Sequence, residues 1–300
     1  MSEYHIPVLL HPSIDGLAIK PDGIYVDATF GGGGHAKEIT ARLDDKGHLF
    51  VFDQDEDAVA NLWGDERVTL IISNFRYLHR WMKYYGVDGK VDGVLADLGV
   101  SSHQFDDPER GFSYRFDEAL DMRMNRQQNL TAADVLNQYE ADQLQEMFSR
   151  YGEVTNARTL AQQIVFARKV TPINTTGQLV SIAERVVKGQ KMRYLSQLFQ
   201  ALRIEINDEM NALKDLLTGT EKILKPGGRM SVISYHSLED RLVKRYFKSG
   251  NFEGEDEKDF FGTRTVRWKV ITKNPIEAEA EEQKMNPRSR SAKLRVAEKS

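Results

Sequence analysis

Between residues 23 and 98 the chain alternates four short apolar runs with polar stretches of helical spacing. The runs are GIYVDA (23–28), HLFVFD (48–53), VTLII (68–72) and VDGVLADL (91–98), rich in Val, Ile, Leu and Phe. Helical periodicity marks residues 36–43 and 56–63 between them. Parallel strands need long crossovers, and the crossover helices bury both faces of the sheet. The alternation therefore predicts an α/β fold with a parallel sheet. A chain of 300 residues has room for one large domain, or for one domain carrying an insertion.

The pattern stops and later resumes. Residues 104–129 are polar, mixed in charge and poor in β-branched side chains, which predicts a loop. From Thr131 to about Lys188 the spacing is helical throughout. Thr131 with Asp134 makes a capping-box pair, the segment 140–152 ends on a glycine, and Thr176 can cap TGQLVSIAERVVK. A long amphipathic helix over residues 194–217 then leads to ILKPGGRMSVISYH (223–236), a Pro-Gly-Gly turn entering another apolar run. The predicted organisation is an α/β domain formed by residues 1–110 and 194–300, with an all-helical domain, 111–193, inserted into it.

Composition closes several routes. With no cysteine, neither a disulfide framework nor a Cys-ligated metal site is available, which fits a reducing cytoplasm. No run of 18 apolar residues exists to span a membrane. MSEYHIPVLL lacks a basic n-region and a long apolar core, so no signal peptide is predicted and the expected location is cytoplasmic.

The first strand runs into DATFGGGGHA (27–36), four consecutive glycines before a helix start. Glycine costs backbone entropy and is used where a side chain would obstruct something. Strand, glycines and helix N-terminus together make a site for a nucleotide-like ligand, because free N–H groups and bare backbone meet there. Asp53 ends the next strand, where a carboxylate accepts bonds from ribose hydroxyls. These residues leave two cofactors open, a nicotinamide dinucleotide and S-adenosylmethionine. LKPGGRMSVIS looks like the turn and fifth strand of Rossmann-like methyltransferases, and TRTVRWKVIT (263–272) is expected as the antiparallel last strand of such a sheet. No paired acid–base residues of the kind a dehydrogenase uses are evident, so methyl transfer is favoured.

Six blocks, in order along the chain, resemble the RsmH (MraW) methyltransferases. They are HIPVLLHPSIDGL (5–17), DATFGGGGHA, DLGVSSHQFDDPERGFSYRFDEALDMRMN (97–125), FQALRIEINDEM (199–210), GGRMSVISYHSLEDRLVKRYF (227–247) and NPRSRSAKLRVAE (286–298). The resemblance implies a Rossmann-like class I methyltransferase sheet that transfers a methyl group from S-adenosylmethionine to N4 of a cytidine in the decoding region of 16S rRNA. The partner it implies is 16S rRNA within the small ribosomal subunit. The oligomeric state stays open, a homodimer included.

Carried over by position, the cofactor contacts fall on Gly33, Gly34, His35, Asp53, Phe75, Asp97 and Gln104. In this reading the glycines make room for the methionine end of the cofactor and His35 lines the same turn. Asp53 holds the ribose and Phe75 packs on the adenine. Members of the family often carry a bulkier residue within the glycine run than this chain does.

Asp97 and His236 are the catalytic candidates. Cytosine N4 is a poor nucleophile because its lone pair is delocalised into the ring. An acceptor bonded to its N–H favours a pyramidal nitrogen aimed at the methyl carbon. Asp97 suits that task, or binds cofactor only; His236 follows the fifth strand, where a lone histidine is otherwise structural. No metal-ligand spacing occurs, and no metal is expected.

Net charge is only −4, yet two segments are strongly basic. Residues 150–203 hold Arg150, Arg158, Arg168, Lys169, Arg185, Lys188, Lys191, Arg193 and Arg203 against Glu153 and Glu184. From Lys284 onward six more basic residues face Glu298 alone, after an acidic run, EAEAEEQ, that reads as an exposed linker. Such segments in an acidic chain point to a phosphate-bearing partner. A nicotinamide-dependent oxidoreductase and a non-catalytic RNA-binding assembly factor are the competing readings.

Overall fold

A computed structural model describes residues 7–255 and 266–300 of the chain. It contains one sheet of eight strands: β1 (Ile24–Asp27), β2 (His48–Asp53), β3 (Val68–Ile72), β4 (Val91–Asp97), β5 (Leu224–Ser234), β6 (Trp268–Val270), β7 (Ile276–Glu277) and β8 (Lys293–Lys299). The order is β3-β2-β1-β4-β5-β8-β6, with β7 also paired to β8. The first five strands are parallel, and β8 runs antiparallel to β5. This is the Rossmann-like methyltransferase sheet expected from the sequence.

The alternation of side chains explains why the apolar runs became central strands. Val26, Phe50, Phe52, Val94 and Ala96 enter one core layer with Leu78, Leu213, Leu217 and Phe247. Their chain neighbours Tyr25, Leu49, Val51 and Leu95 enter the opposite layer with Ile14, Leu17 and Ile39. Successive residues face opposite sides of a strand, so a strand buried on both faces must be apolar throughout. Helices α1 (Leu10–Leu17), α2 (Gly34–Ala41) and α3 (Leu78–Tyr84) accompany the first half of the sheet. Residues 56–63 form a 3₁₀ turn, Glu56–Asn61, in place of the expected α-helix.

The antiparallel strand beside β5 is β8, and the 263–272 segment supplies only the short edge strand β6. Residues 263–265 lie outside the described part. The basic tail is thus a sheet strand, with Leu294, Arg295, Val296 and Ala297 all buried. Arg295 is matched there by Asp240, with Nε to Oδ1 at 2.6 Å and Nη2 to Oδ2 at 3.2 Å. Alternating charges had hidden the strand.

The chain divides into two compact units, residues 1–99 with 211–300, and residues 100–210. The second unit is helical: α4 (Ser102–Asp106), α5 (Ala132–Gln138), α6 (Ala141–Gly152), α7 (Ala157–Arg168), α8 (Thr176–Glu184) and α9 (Lys191–Ile206). These boundaries are wider than the expected 111–193. The polar segment before α5 belongs to this unit because its carbonyls are held inside it. Arg110 Nη2 donates to the carbonyls of Arg123 and Met124, both at 3.0 Å, and Asn207 Nδ2 donates to that of Met122 at 2.9 Å. At the other end, Leu195, Leu198 and Leu202 of α9 are core residues of the same unit. The capping box at Thr131 and Asp134 is present, while α8 is capped by Thr175 rather than Thr176.

The long helix expected over 194–217 is two helices, α9 and α10 (Glu209–Ile223). Asp208 breaks it with a left-handed φ of 49°. After β5 come α11 (Ser237–Ser249) and α12 (Ala280–Met285). The acidic run is therefore partly helical and no linker, and Glu282 Oε1 accepts the Leu9 N–H at 2.8 Å. Among the described residues no helix is long and apolar enough to cross a membrane.

Candidate active site at the carboxyl ends of the strands

Three adjacent parallel strands, β2, β1 and β4, each end in an aspartate: Asp53, Asp27 and Asp97. The carboxyl edge of an open α/β sheet is where ligands bind, because the loops diverge there. Asp27 is fully buried; Oδ1 accepts the Thr29 N–H at 3.0 Å and Oδ2 has no hydrogen-bond partner. Burial pushes this carboxyl up to about 6, against the pull of His35. Asp53 Oδ2 accepts the Gly31 N–H and Oδ1 the Asp55 N–H, both at 2.9 Å, and burial pushes it up to about 6.

Asp97 is held through both its backbone and its carboxyl. Its N–H donates to Thr29 Oγ1 at 2.7 Å, and its Oδ1 accepts the Tyr235 hydroxyl at 2.7 Å. Its side chain is 23% exposed, and desolvation pushes the carboxyl up to about 7 although the Tyr235 bond opposes this. His35, in the first turn of α2, lies with Nε2 3.1 Å from the Val8 carbonyl. A carbonyl can only accept, so Nε2 carries the proton and Nδ1 the lone pair of the neutral ring. Nδ1 is 3.9 Å from Asp97 Oδ2, and burial lowers the His35 pKa.

The protein's own packing gives the glycine loop a reason for its glycines beside the one expected. Gly31 and Gly33 adopt left-handed φ values of 49° and 75°. A Cβ on Gly34 would lie 2.2 Å from Pro7 Cγ, and one on Gly33 would touch the Phe30 ring at 3.0 Å. Of positions 32 to 34 only Gly32 opens onto free space. The protein's own packing, with Pro7 seated on the helix start, excludes side chains from Gly33 and Gly34.

Phe75 opens a 3₁₀ turn just after β3 and is half-buried. This turn is tied to the end of β2, since Ser73 N–H donates to the Asp53 carbonyl and Asn74 Nδ2 to Gln54 Oε1, both at 2.7 Å. Gly33, Gly34, His35, Asp53, Phe75 and Asp97 thus all belong to the α/β unit. Gln104 belongs to the helical unit, buried in α4, where its Oε1 accepts the Ser101 N–H at 3.2 Å.

His236 is the N-cap of α11. Its Nδ1 accepts the Glu239 N–H at 3.4 Å, and Nε2 is 3.2 Å from Glu239 Oε1. The other Glu239 oxygen accepts the Tyr235 N–H at 2.9 Å. This is the geometry of a helix start that also fixes Tyr235. Sequence reasoning missed Asp27, Thr29 and Tyr235. Each stands inside a motif already singled out, and Asp27 ends its strand just as Asp53 does.

The arrangement is rich in acceptors and carries negative charge close to the glycine loop. Such a site favours hydroxyls, amines and cationic groups and disfavours a diphosphate. The fit is therefore to the ribose and the positively charged methionine portion of S-adenosylmethionine, and it is poor for a dinucleotide.

Comparison with known proteins agrees. The description of the MraW methylase family matches residues 2–300. Ribosomal RNA small subunit methyltransferase H of Flavobacterium johnsoniae is 58% identical over 298 residues, 99% of this chain and 98% of the relative. The proteins of the same name from Parabacteroides distasonis and Christiangramia forsetii are 54% and 56% identical, covering 99% and 100% of this chain and 97% and 99% of theirs. A match along the whole length, on a methyltransferase sheet with acids at its strand ends, means that this chain belongs to the MraW methylase family of S-adenosylmethionine-dependent methyltransferases.

Proposed function

We propose that this chain methylates N4 of a cytidine in the decoding region of 16S rRNA, and that it does so on the small ribosomal subunit. The observation that carries the reading is Asp97. It is a strand-end residue whose N–H donates to Thr29 Oγ1 and whose carboxyl accepts the Tyr235 hydroxyl at Oδ1, with Oδ2 left out of both bonds. The cofactor supplies the methyl group. Asp97 Oδ2 accepts the N4–H of the base, directs the nitrogen lone pair and takes the proton that N4 must lose when its new bond forms. A carboxyl poised near neutrality suits this, since it is ionised to receive a proton and not so acidic as to refuse one. The curated relatives, named for methylation of small-subunit rRNA, support the substrate class. Mass spectrometry of 16S rRNA nucleosides from cells lacking this gene tests the reading, and an undiminished N4-methylated cytidine signal overturns it.

Asp53 is assigned to the ribose. Asp53→Ala weakens S-adenosylmethionine binding by about 1.5–3 kcal/mol, the range for hydrogen bonds to a charged acceptor. Calorimetry checks this, with no measurable heat from NAD or NADP as the companion result.

Decoding-region bases are shaped by folded RNA and must be splayed out to be reached. Assembled small subunits are accordingly better acceptors than purified 16S rRNA, and free cytidine is the poorest. The helical unit contributes RNA affinity, although fewer of its cations are available than the sequence suggested. Arg203 is held by Glu209 at 2.8 Å, and Arg168 donates to the carbonyls of Leu136 and Tyr139 at 2.8 and 2.7 Å. Arg185, Lys188, Lys191 and Arg193 remain as an exposed group where α8 passes into α9, with Lys191 paired to Glu184. Replacing these four by Gln flattens the salt dependence of subunit binding by roughly 0.7–0.9 log units per lost phosphate contact. S-adenosylmethionine affinity stays within about 0.5 kcal/mol of wild type. Titrations at three salt concentrations check both, and an unchanged slope assigns the group to solubility alone.

A further inference from the structure

The α/β unit carries a second concentration of functional side chains that the reaction leaves unused. Helix α3 and the residues flanking it present Tyr77, Trp81, Tyr84 and Tyr85 in nine residues of sequence that also hold Arg80 and Lys83. Tyr84 is 77% exposed, Tyr77 43% and Tyr85 40%. Large rings gathered into one exposed patch are unusual unless something covers them in use. These rings are not splayed at random. Trp81 meets Tyr84 edge-on at 5.9 Å and stacks on Tyr85 at 6.4 Å, while Tyr84 meets Tyr85 edge-on at 5.2 Å. Phe50 of β2 anchors the group through Tyr85, at 5.0 Å.

Charge distinguishes what would cover this face. Arg80 and Lys83 are both exposed, and among the described residues neither has a carboxylate within ion-pair distance. Their neighbours on the same segment are matched: Arg76 by Asp215 at 2.9 Å and His79 by Asp88 at 3.4 Å. The Arg80 guanidinium lies 5.3 Å over the Tyr77 ring, so that cation and ring form one platform. The platform also starts in the right place, because Tyr77 is two residues past Phe75, at the strand-end edge that holds the acids.

Ordered rings alternating with unmatched cations suit a strand whose bases stack and whose phosphates need counter-charge. We propose that the α3 face is a single-stranded RNA platform, with bases on Tyr77 and Tyr84 and phosphates on Arg80 and Lys83. The inference rests on RNA being the substrate. It adds that the α/β unit grips part of that RNA itself, instead of leaving all affinity to the helical unit.

The test uses the full chain and a fluorescent single-stranded oligoribonucleotide of about 12 nucleotides, within the site sizes of such proteins. Anisotropy gives the affinity. Tyr84→Ala lowers it between about 5-fold and 150-fold, the range for one lost base stack, whereas Tyr84→Phe retains it. Arg80→Gln with Lys83→Gln lowers the slope of log affinity against log salt by about 1.4, two single-strand phosphate contacts. Thermal midpoint and S-adenosylmethionine affinity stay at wild-type values, which reports that the fold is intact. Wild-type affinity in Tyr84→Ala, or no oligonucleotide binding by the wild type, overturns the proposal. So does a change confined to self-association in sedimentation, which would make the face a protein interface. Methyl transfer by the wild type to small subunits is measured alongside. If transfer occurs and Tyr84→Ala binds RNA normally, only the α3 platform falls; if no transfer occurs, the substrate reading itself falls.

Discussion

Asp97→Asn reduces methyl transfer by about 10²–10⁴-fold at saturating S-adenosylmethionine, the usual contribution of a positioned proton acceptor. The asparagine keeps the shape and can still accept the Tyr235 bond, so the loss isolates the proton-accepting role. In the wild type the competent form is the carboxylate, and its carboxyl sits at about 7. At limiting S-adenosylmethionine, where the rate reports the ligand-free enzyme, it therefore climbs as pH rises through about 7 and levels above it. Tyr235→Phe removes a hydrogen bond that holds this value down, so the climb moves to higher pH. Other groups facing Asp97 set the same balance: Glu239 of α11 adds negative charge, while His35 of α2 lies 3.9 Å away. A pH–rate profile of the three proteins is decisive. If the limb stays in place and only donor affinity changes, Asp97 is a binding residue and no acceptor.

Asp240→Ala costs about 3–5 kcal/mol of folding stability, because it strands the Arg295 guanidinium without its partner. Both side chains are nearly inaccessible, 13% and 8% exposed, and two hydrogen bonds join them between α11 and β8. At roughly 2–4 °C per kcal/mol for a protein of this size, the thermal midpoint falls by roughly 6–20 °C. The exposed pair of Arg42 with Asp15, whose carboxylate is 65% accessible, is the control. Asp15→Ala there costs no more than about 1 kcal/mol. Replacing Asp240 by Leu and Arg295 by Met together recovers much of the loss, since a matched apolar pair carries no desolvation penalty. Differential scanning calorimetry checks all three variants, and a small shift for Asp240→Ala means that water reaches the pair.

The same ion pair explains one limit of sequence reading. The strands β1 to β4 were legible to within a residue or two because their interiors are apolar runs, with acids confined to Asp92 and the strand ends Asp27, Asp53 and Asp97. β8 is equally central, but KLRVAEK looks like a solvated tail unless Asp240, 55 residues earlier, is known to face Arg295. The break between α9 and α10 was hidden for a related reason. Residues 194–217 keep helical periodicity across it, and what stops the helix is the tertiary bond of Asn207 to the Met122 carbonyl together with the left-handed Asp208. At the site, motifs pointed to Gly33, His35, Asp53 and Asp97. They did not reveal Tyr235 or Thr29, whose roles exist only through contacts with Asp97 at 138 and 68 residues' separation. Nor could spacing show that Pro7 packs where a side chain at position 34 would lie.

Burial of Asp27, Asp53 and Asp97 ties folding and binding to pH. Their carboxyls stand at about 6, 6 and 7 in the folded protein against 3.8 for an unperturbed aspartate. Folding takes up protons between about pH 4 and 7, so the ligand-free protein loses stability as pH rises across that window. A positively charged ligand reverses the preference, drawing the acids into their ionised form and sending protons into the buffer as it binds. The methyl donor brings a sulfonium charge that its demethylated product no longer has. The same acids thus release more protons for the donor than for the product, and they favour the donor increasingly toward alkaline pH. Crowding acids at three strand ends weakens the empty protein and, in exchange, gives the site a way to prefer fresh donor over spent product by charge alone.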